Sequence, residues 1–346
     1  VETLPAPPAS PLIYPTIYGR DEMPLTDQRL TGQHEPQALQ LRSGRDIVLF
    51  KKNVAVSTQT SEVLSASFLR KRSYHHGGVR HNVDTDSYDL KSPSALTIHT
   101  RCQTPIYFAD TDQPDIYGHV LLEALPRLWA LDRVHPRMPV VTSVMPHRSY
   151  DLMFEALGVP ADRLIRINHP VVADKVYFPD LPVVRRSWVH PSAFDVFAKL
   201  GQLADRSTLD APERIYISRS RVAGRPLTNE SEVEAYFLSK GFVVVHPQEH
   251  PIEDQIKLFG RARMVAAAGG SATHNFVFSP AETKMLIICS EGWMVNADML
   301  LSQHPGRLGY VFGQASMATA ASHRSGGPWQ VDMSDVRAAA EEHFGL

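Results

Sequence analysis

His119 and Glu123 stand four residues apart, the spacing that puts two side chains on one face of a helix. A carboxylate beside an imidazole orients the ring and raises its basicity, which suits a general base taking a proton from a hydroxyl. An ordinary polar pair near a helix start would be spelled the same way. Asp115-Ile116-Tyr117-Gly118 leads into the pair, and Leu125-Pro126-Arg127 follows it. A different chemistry is legible further along the chain. Ile215-Tyr216-Ile217-Ser218-Arg219-Ser220-Arg221 reads as a strand ending in arginines, with Arg225 and then Asn229-Glu230 beyond. The planar guanidinium fork pairs with phosphate oxygens two at a time, so this strand end suits anion capture. For any single arginine, a solvated basic loop is the alternative.

Ala268-Gly269-Gly270-Ser271-Ala272-Thr273-His274-Asn275 follows an apolar run and opens a short helix. Adjacent glycines let the chain turn sharply and let a ligand approach the main chain. A helix start adds N–H donors and a partial positive charge, suited to a diphosphate. A tight turn without a ligand would have the same letters. The run is neither GxGxxG nor a Walker sequence, so a dinucleotide fold or P-loop is not indicated.

No metal and no cofactor is expected. Cys102 and Cys289 lie far apart, with neither CxxC nor zinc spacing, and read as two reduced thiols, Cys289 at the end of a buried strand. Asp110-Thr111-Asp112 has the letters of a DxD metal motif but precedes the first-domain helix and reads as loop. His75-His76-Gly77-Gly78 reads as a polar loop without a third ligand nearby.

These residues need strands and helices to hold them. Residues 1–40 carry Pro5, Pro7, Pro8, Pro11 and Pro15 and read as an irregular arm. From Asp46 to Ile106, short apolar stretches (Ile47–Phe50, Val54–Val56, Ala95–Ile98) separated by polar segments predict a β-rich region. Beyond Tyr117 helix and strand alternate. The spacing predicts a helix over 119–133 with a kink or restart at Pro126, strands over 139–144, 164–167 and 176–178, and helices over 150–157 and 192–203. Leu203–Pro212 reads as a linker. Strands follow over 214–218, 242–245, 264–268, 284–289 and 308–312, with helices over 230–240, 251–259, 273–278, 295–302 and 334–344, and Ala315–Ala321 is a small-residue loop. Strands separated by helices imply an α/β fold with parallel sheets, whose ligands bind at the carboxyl ends of the strands. The expected division is 1–106 as an arm and β-rich region packed on the first domain, 107–205 and 206–333 as two Rossmann-like domains, and 334–346 as a terminal helix.

Length and composition agree. The 346 residues suit two domains, and 43% hydrophobic with 21% charged residues is ordinary globular composition. A formal charge of −2 gives no reason to expect nucleic acid as a partner. No apolar run reaches the ~18 residues that span a bilayer. The proline-rich start is unlike a leader peptide, so a cytoplasmic location is expected. Phe68-Leu69-Arg70-Lys71-Arg72 is the one basic-apolar cluster suited to peripheral contact at the inner membrane; an ordinary strand or loop edge is its alternative.

Taken together, the chain resembles glycosyltransferase family 61. The first-domain pattern of that family is similar to Tyr117-Gly118-His119-Val120-Leu121-Leu122-Glu123-Ala124-Leu125-Pro126-Arg127-Leu128. Its second-domain pattern is similar to Ser218-Arg219, Arg225, Asn229-Glu230, Gly241-Phe242 and Gln255, then Gly270-Ser271-Ala272, Asn275, Phe278 and Pro280. The likeness runs from about residue 112 to 290, and the first hundred residues match no family pattern. The resemblance implies a GT-B architecture of two facing Rossmann-like domains and an inverting, metal-independent hexosyl or pentosyl transfer. A nucleotide-sugar donor would bind the C-terminal domain through Arg219, Arg225, Asn229, Glu230, Gln255, Gly270, Ser271, Ala272 and Asn275. A glycan or lipid-linked sugar acceptor, in polysaccharide or surface-glycan synthesis, would meet the N-terminal domain at Asp115, Tyr117 and Arg127, beside catalytic His119 and Glu123. Many relatives carry His where Gly269 stands and an acid near Ile287; Glu291 lies just past that strand at a different spacing. A non-catalytic nucleotide-sugar or glycan-binding member, or an epimerase-like GT-B enzyme, are the alternative readings.

Overall fold

The computed structural model describes residues 2–20, 32–60, 62–64, 79–82, 87–90, 100–292, 294, 297–315 and 327–346. The segments Phe68–Arg72, His75–Gly78 and Ala95–Ile98, and most of the loop after Ala315, lie outside them. The chain forms two units. One comprises Val1–Pro7, Pro36–Val183 and His190–Leu200; the other comprises Pro8–Glu35, Val184–Val189 and Gly201–Leu346.

The first unit is built on an eight-stranded mixed sheet. Its parallel part runs Val171–Pro179, Ile106–Phe108, Val140–Thr142, Leu164–Arg166 in space. The long strand Leu39–Phe50 pairs antiparallel with Val171–Pro179, and Val54–Ser57 folds back on it. Ile106, Phe108, Val141, Ala173, Val176 and Phe178 fill one face, as expected for strands covered by other elements. Chain order and spatial order part company at Ile106–Phe108. The next strand, Val140–Thr142, lies on one side of it and the last, Val171–Pro179, on the other. Such a switch point opens a crevice at the carboxyl end of the strand.

The second unit repeats the device. Its parallel strands run Val243–Val245, Arg214–Ile217, Met264–Ala268, Lys284–Ser290, Leu308–Ala315 in space. The switch point falls between Arg214–Ile217 and Met264–Ala268. Tyr216, Phe237, Phe242, Leu286 and Val311 form its core with Val336, Ala339, Ala340 and Phe344 of the last helix, Met333–Phe344. That helix is therefore part of this unit.

Two expectations change, and a third is described only in part. The N-terminal segment does not go with one unit, because Thr16–Tyr18 joins the second sheet as a parallel strand beside Leu308–Ala315. The stretch read as a linker begins as a 3-10 turn, Gln202–Arg206, with Leu203 buried. Beyond it Ser207 is held by the helix Ile252–Arg261, its hydroxyl donating to Asp254 (2.5 Å) and its carbonyl accepting from Lys257 (2.8 Å). The helix expected over 295–302 is described as Ala297–Leu301. Among the described residues, no helix is long and apolar enough to cross a membrane.

Candidate active site

The first cluster lies where Ile106–Phe108 ends. The helix that carries it changes type twice: Tyr117–His119 is α, Val120–Ala124 is a π turn, and Leu125–Arg133 is 3-10. Pro126 has no N–H to continue an α ladder, and the chain answers with the wide turn, Leu125 N–H reaching back to Val120 O. Single π turns often mark functional sites. The restart expected at Pro126 is present, one residue earlier, at Leu125.

Within this helix His119 Nδ1 lies 3.1 Å from Glu123 Oε2. It also lies 3.2 Å from Asp112 Oδ1, and Thr111 Oγ1 donates to Glu123 Oε2 at 2.6 Å. Ionised carboxylates only accept, so Nδ1 carries the proton and Nε2 is the ring atom able to take another. The His119 side chain is 10% exposed and its two acids 13%, so these interactions are little screened by water. Asp112, His119 and Glu123 offer ligand atoms within 4.8 Å of one another and are the described residues that could hold a cation. A cation there would have to displace the Nδ1 proton.

Asp110 anchors the loop. Fully buried, it accepts from Asn53 N (2.9 Å), Ser143 N (2.9 Å) and the Ser143 hydroxyl (2.8 Å to Oδ2). Burial raises its carboxyl, and these hydrogen bonds oppose the rise. Asp110-Thr111-Asp112 is a loop, as expected, yet it contributes the anchor, the Glu123 partner and the second acid on His119. The sequence reading missed that role.

Of the three positions expected to touch acceptor, Asp115 is exposed and Tyr117 half-buried near the helix start. Arg127 does not offer itself to a substrate: it is 4% exposed and donates to Pro179 O at 2.7 Å. Burial lowers its guanidinium, while Glu123, Asp180 and Asp110 pull the other way, so it serves as the buried cation beneath the acids.

The second cluster lies at the switch point of the other sheet. Gly269 and Gly270 leave Met264–Ala268, and the 3-10 helix Ser271–Phe278 starts at once, two residues earlier than expected. Both glycines allow a close approach. A Cβ on Gly270 would collide with Arg219 Nη1, and one on Gly269 would sit 2.9 Å from Cys289 Sγ. The Arg219 guanidinium therefore lies against the glycine turn. Arg225 joins it from the same loop, in a left-handed backbone (φ 53°) that costs a non-glycine residue on the order of 1 kcal/mol. Trp329 holds that strained turn, its indole N–H donating to Arg225 O (3.1 Å) and its backbone N–H to Pro226 O (3.0 Å).

Burial lowers both guanidinium groups, and Arg219 beside it helps bring Arg225 down to about 10. Both arginines also act on the buried Cys289 thiol, which burial, followed by Asp298, pushes up to about 12. Two partly desolvated cations side by side are stabilised by an anion between them. Arg221, which the sequence grouped with them, turns away to an exposed pair with Glu249 at 2.8 Å.

The remaining positions expected to bind donor divide. Ser271 and Ala272 are half-buried in the first turn of the helix. Glu230 is 3% exposed and accepts from Arg219 N (2.5 Å) and the Tyr216 hydroxyl (3.2 Å), so it holds the arginine loop from below. The Asn229 amide is spent on Val331, donating to its carbonyl (2.8 Å) and accepting from its N–H (3.2 Å). Gln255 donates to His250 O (2.9 Å) and accepts from Asn275 Nδ2 (3.3 Å), tying two helices together. These four support the site from behind. Glu291, weighed as the acid near the turn, pairs with Arg20 at 2.8 Å. The acid at the turn is instead Asp298, which the sequence reading passed over because it lies a strand and a loop beyond the glycines.

No curated protein matches the chain. Residues 117–286 match the family described as Glycosyltransferase 61. That stretch holds His119, Glu123, both arginines and the glycine turn. Over that stretch the chain matches glycosyltransferase family 61, whose activity is the transfer of a sugar from a donor to an acceptor.

Proposed function

We propose an inverting, metal-independent transfer from a nucleotide-sugar to a hydroxyl of a glycan or lipid-linked sugar acceptor. The observation that carries this reading is the placement of Arg219 against Gly270, at the start of Ser271–Phe278, with Arg225 beside it, at the carboxyl edge of the second sheet. Guanidinium forks and helix N–H groups are the donors that a leaving diphosphate needs as charge builds on it. The first unit supplies the base: His119 Nε2 takes the acceptor proton while Glu123 and Asp112 stabilise the imidazolium that results. The hydroxyl oxygen attacks the anomeric carbon, the bond to the diphosphate oxygen breaks, and its electrons remain on the nucleotide. A single displacement inverts the configuration. In this reading the units divide the work as in a GT-B enzyme, donor on the second and acceptor on the first. The metal-independent form is favoured because Arg219, Arg225 and the helix N–H groups can take the charge on the leaving diphosphate that a cation would otherwise balance.

Thermal-shift binding against UDP-, GDP-, CMP- and dTDP-sugars, with and without magnesium, tests the proposal. One nucleotide should stabilise the protein equally in both conditions. A shift that appears only with magnesium overturns the metal-independent form. No shift with any nucleotide overturns the donor site and favours a binding module for glycans.

A further inference from the structure

Asp298 is 3% exposed, and both of its oxygens are used on one turn of another element. Oδ2 lies 2.7 Å from Thr273 Oγ1, and Oδ1 lies 2.7 Å from His274 Nδ1. Thr273 in turn donates its backbone N–H to Gly270 O (3.0 Å), and its hydroxyl, with a single proton to share, lies between Gly270 O (2.7 Å) and Asp298 Oδ2. The carboxylate is thus connected, through one threonine, to the glycine on which the Arg219 guanidinium rests. Thr273 and His274 are themselves 1% and 4% exposed, so the three groups form a dry unit.

What this acid does not do is equally informative. A carboxylate at a helix start ordinarily accepts from the first N–H groups. Here no side chain caps Ser271–Phe278 at Gly270. Asp298 grips the turn by its side chains, and the N–H groups of that turn are not used by it. A cap would also set a negative charge where phosphate must come; the His274 imidazole on Oδ1 disperses that charge instead.

We propose that Asp298 is a positioning residue for the donor: it fixes the glycine turn so that the N–H groups of Gly270–Ala272 and the Arg219 guanidinium meet the diphosphate together. This rests on the reading of that turn as the diphosphate site. Asp298 itself does not touch the substrate. His274 and Thr273 transmit its hold, and changing either end of the link loosens the same turn.

The test compares a nucleoside with its diphosphate on the full chain by titration calorimetry, choosing from uridine, guanosine, cytidine and thymidine the series that binds most tightly. Asp298→Asn keeps the size of the side chain and loses one of its two acceptor atoms. It should weaken diphosphate binding about tenfold and leave nucleoside binding within about twofold. Thr273→Val removes only the hydroxyl link and should change the ratio in the same direction; it decides the matter if Asp298→Asn does not fold. Equal loss for nucleoside and diphosphate marks general damage and overturns the positioning role. An unchanged ratio in folded variants overturns it too. Arg219→Ala separates this from the parent reading: if it alone weakens the diphosphate, the donor site stands without Asp298, and if it changes nothing, the donor site itself falls.

Discussion

The two sheets present the same architecture at their carboxyl edges and opposite charge. At the switch point of the first, the loop and helix after Ile106–Phe108 bring Asp112 and Glu123 around one histidine, with Asp110 anchoring the loop. At that of the second, the loops after Arg214–Ile217 and Met264–Ala268 bring Arg219 against a glycine turn with Arg225 beside it. The topology decides where a site lies, and the loop residues decide its sign. An acid-rich edge suits a histidine to act as a base, whereas a basic edge suits an anion. The buried ion of opposite charge sits behind each: Arg127 under the acids, and Glu230 under the arginines.

The sharpest way to break this division is to remove one chemistry and look for its effect on the other. His119→Ala should lower turnover by roughly a thousandfold, the usual range for a general base, with nucleotide affinity unchanged. Turnover can be followed as released nucleotide, and affinity by calorimetry. A parallel loss of affinity would sink the assignment. Gly270→Ala should do the reverse. Its methyl group displaces the Arg219 guanidinium, and nucleotide affinity should fall roughly 10- to 100-fold, the worth of charge-assisted hydrogen bonds. Unchanged binding would remove Arg219 from the phosphate site.

A smaller effect tests whether two acids on one nitrogen are needed. Asp112→Asn leaves Glu123 to orient His119, so turnover should drop only about tenfold, less than on removing the imidazole. If the loss equals that of His119→Ala, Asp112 is the main partner of the ring. The smallest effect concerns stability of the second unit. Burial first, then Lys284, lowers buried His343 to about 4 from 6.5. Its folded form binds fewer protons than its unfolded form, so the stability it gives is present above 6.5 and is lost as pH falls toward 4. Between about pH 7.5 and about pH 5.5 the loss should be about 1 kcal/mol. Urea unfolding at the two values, compared with His343→Gln, reads it; an equal pH response in the variant would show that other groups carry it.

The alternation of strands and helices was legible because apolar runs and their periods are local. So were the arginines and glycines, whose letters sit at strand ends. The supporting partners were not. Asn229, Glu230, Gln255 and Asn275 have polar side chains that a sequence pattern cannot distinguish from ligand contacts, and only their partners show that they face inward. Asp112 and Asp298 were missed for the opposite reason: each acts on a histidine that the fold, and not the local spacing, brings to it. Pro126 gave a true signal of a break, but no rule from its letters distinguishes a kink from a π turn.

The strand Thr16–Tyr18 has a consequence for how the molecule is made. Tyr18 hydrogen-bonds to His343 at 3.1 Å across 325 residues of sequence, and its strand lies against one of the last strands of the chain. Thr16–Tyr18 leaves the ribosome well before its seat does. The second sheet cannot complete this edge until both strands are made, and such distant pairings are slow to find. Until Leu308–Ala315 is made, the strand meant for it lacks its seat and is open to wrong pairings.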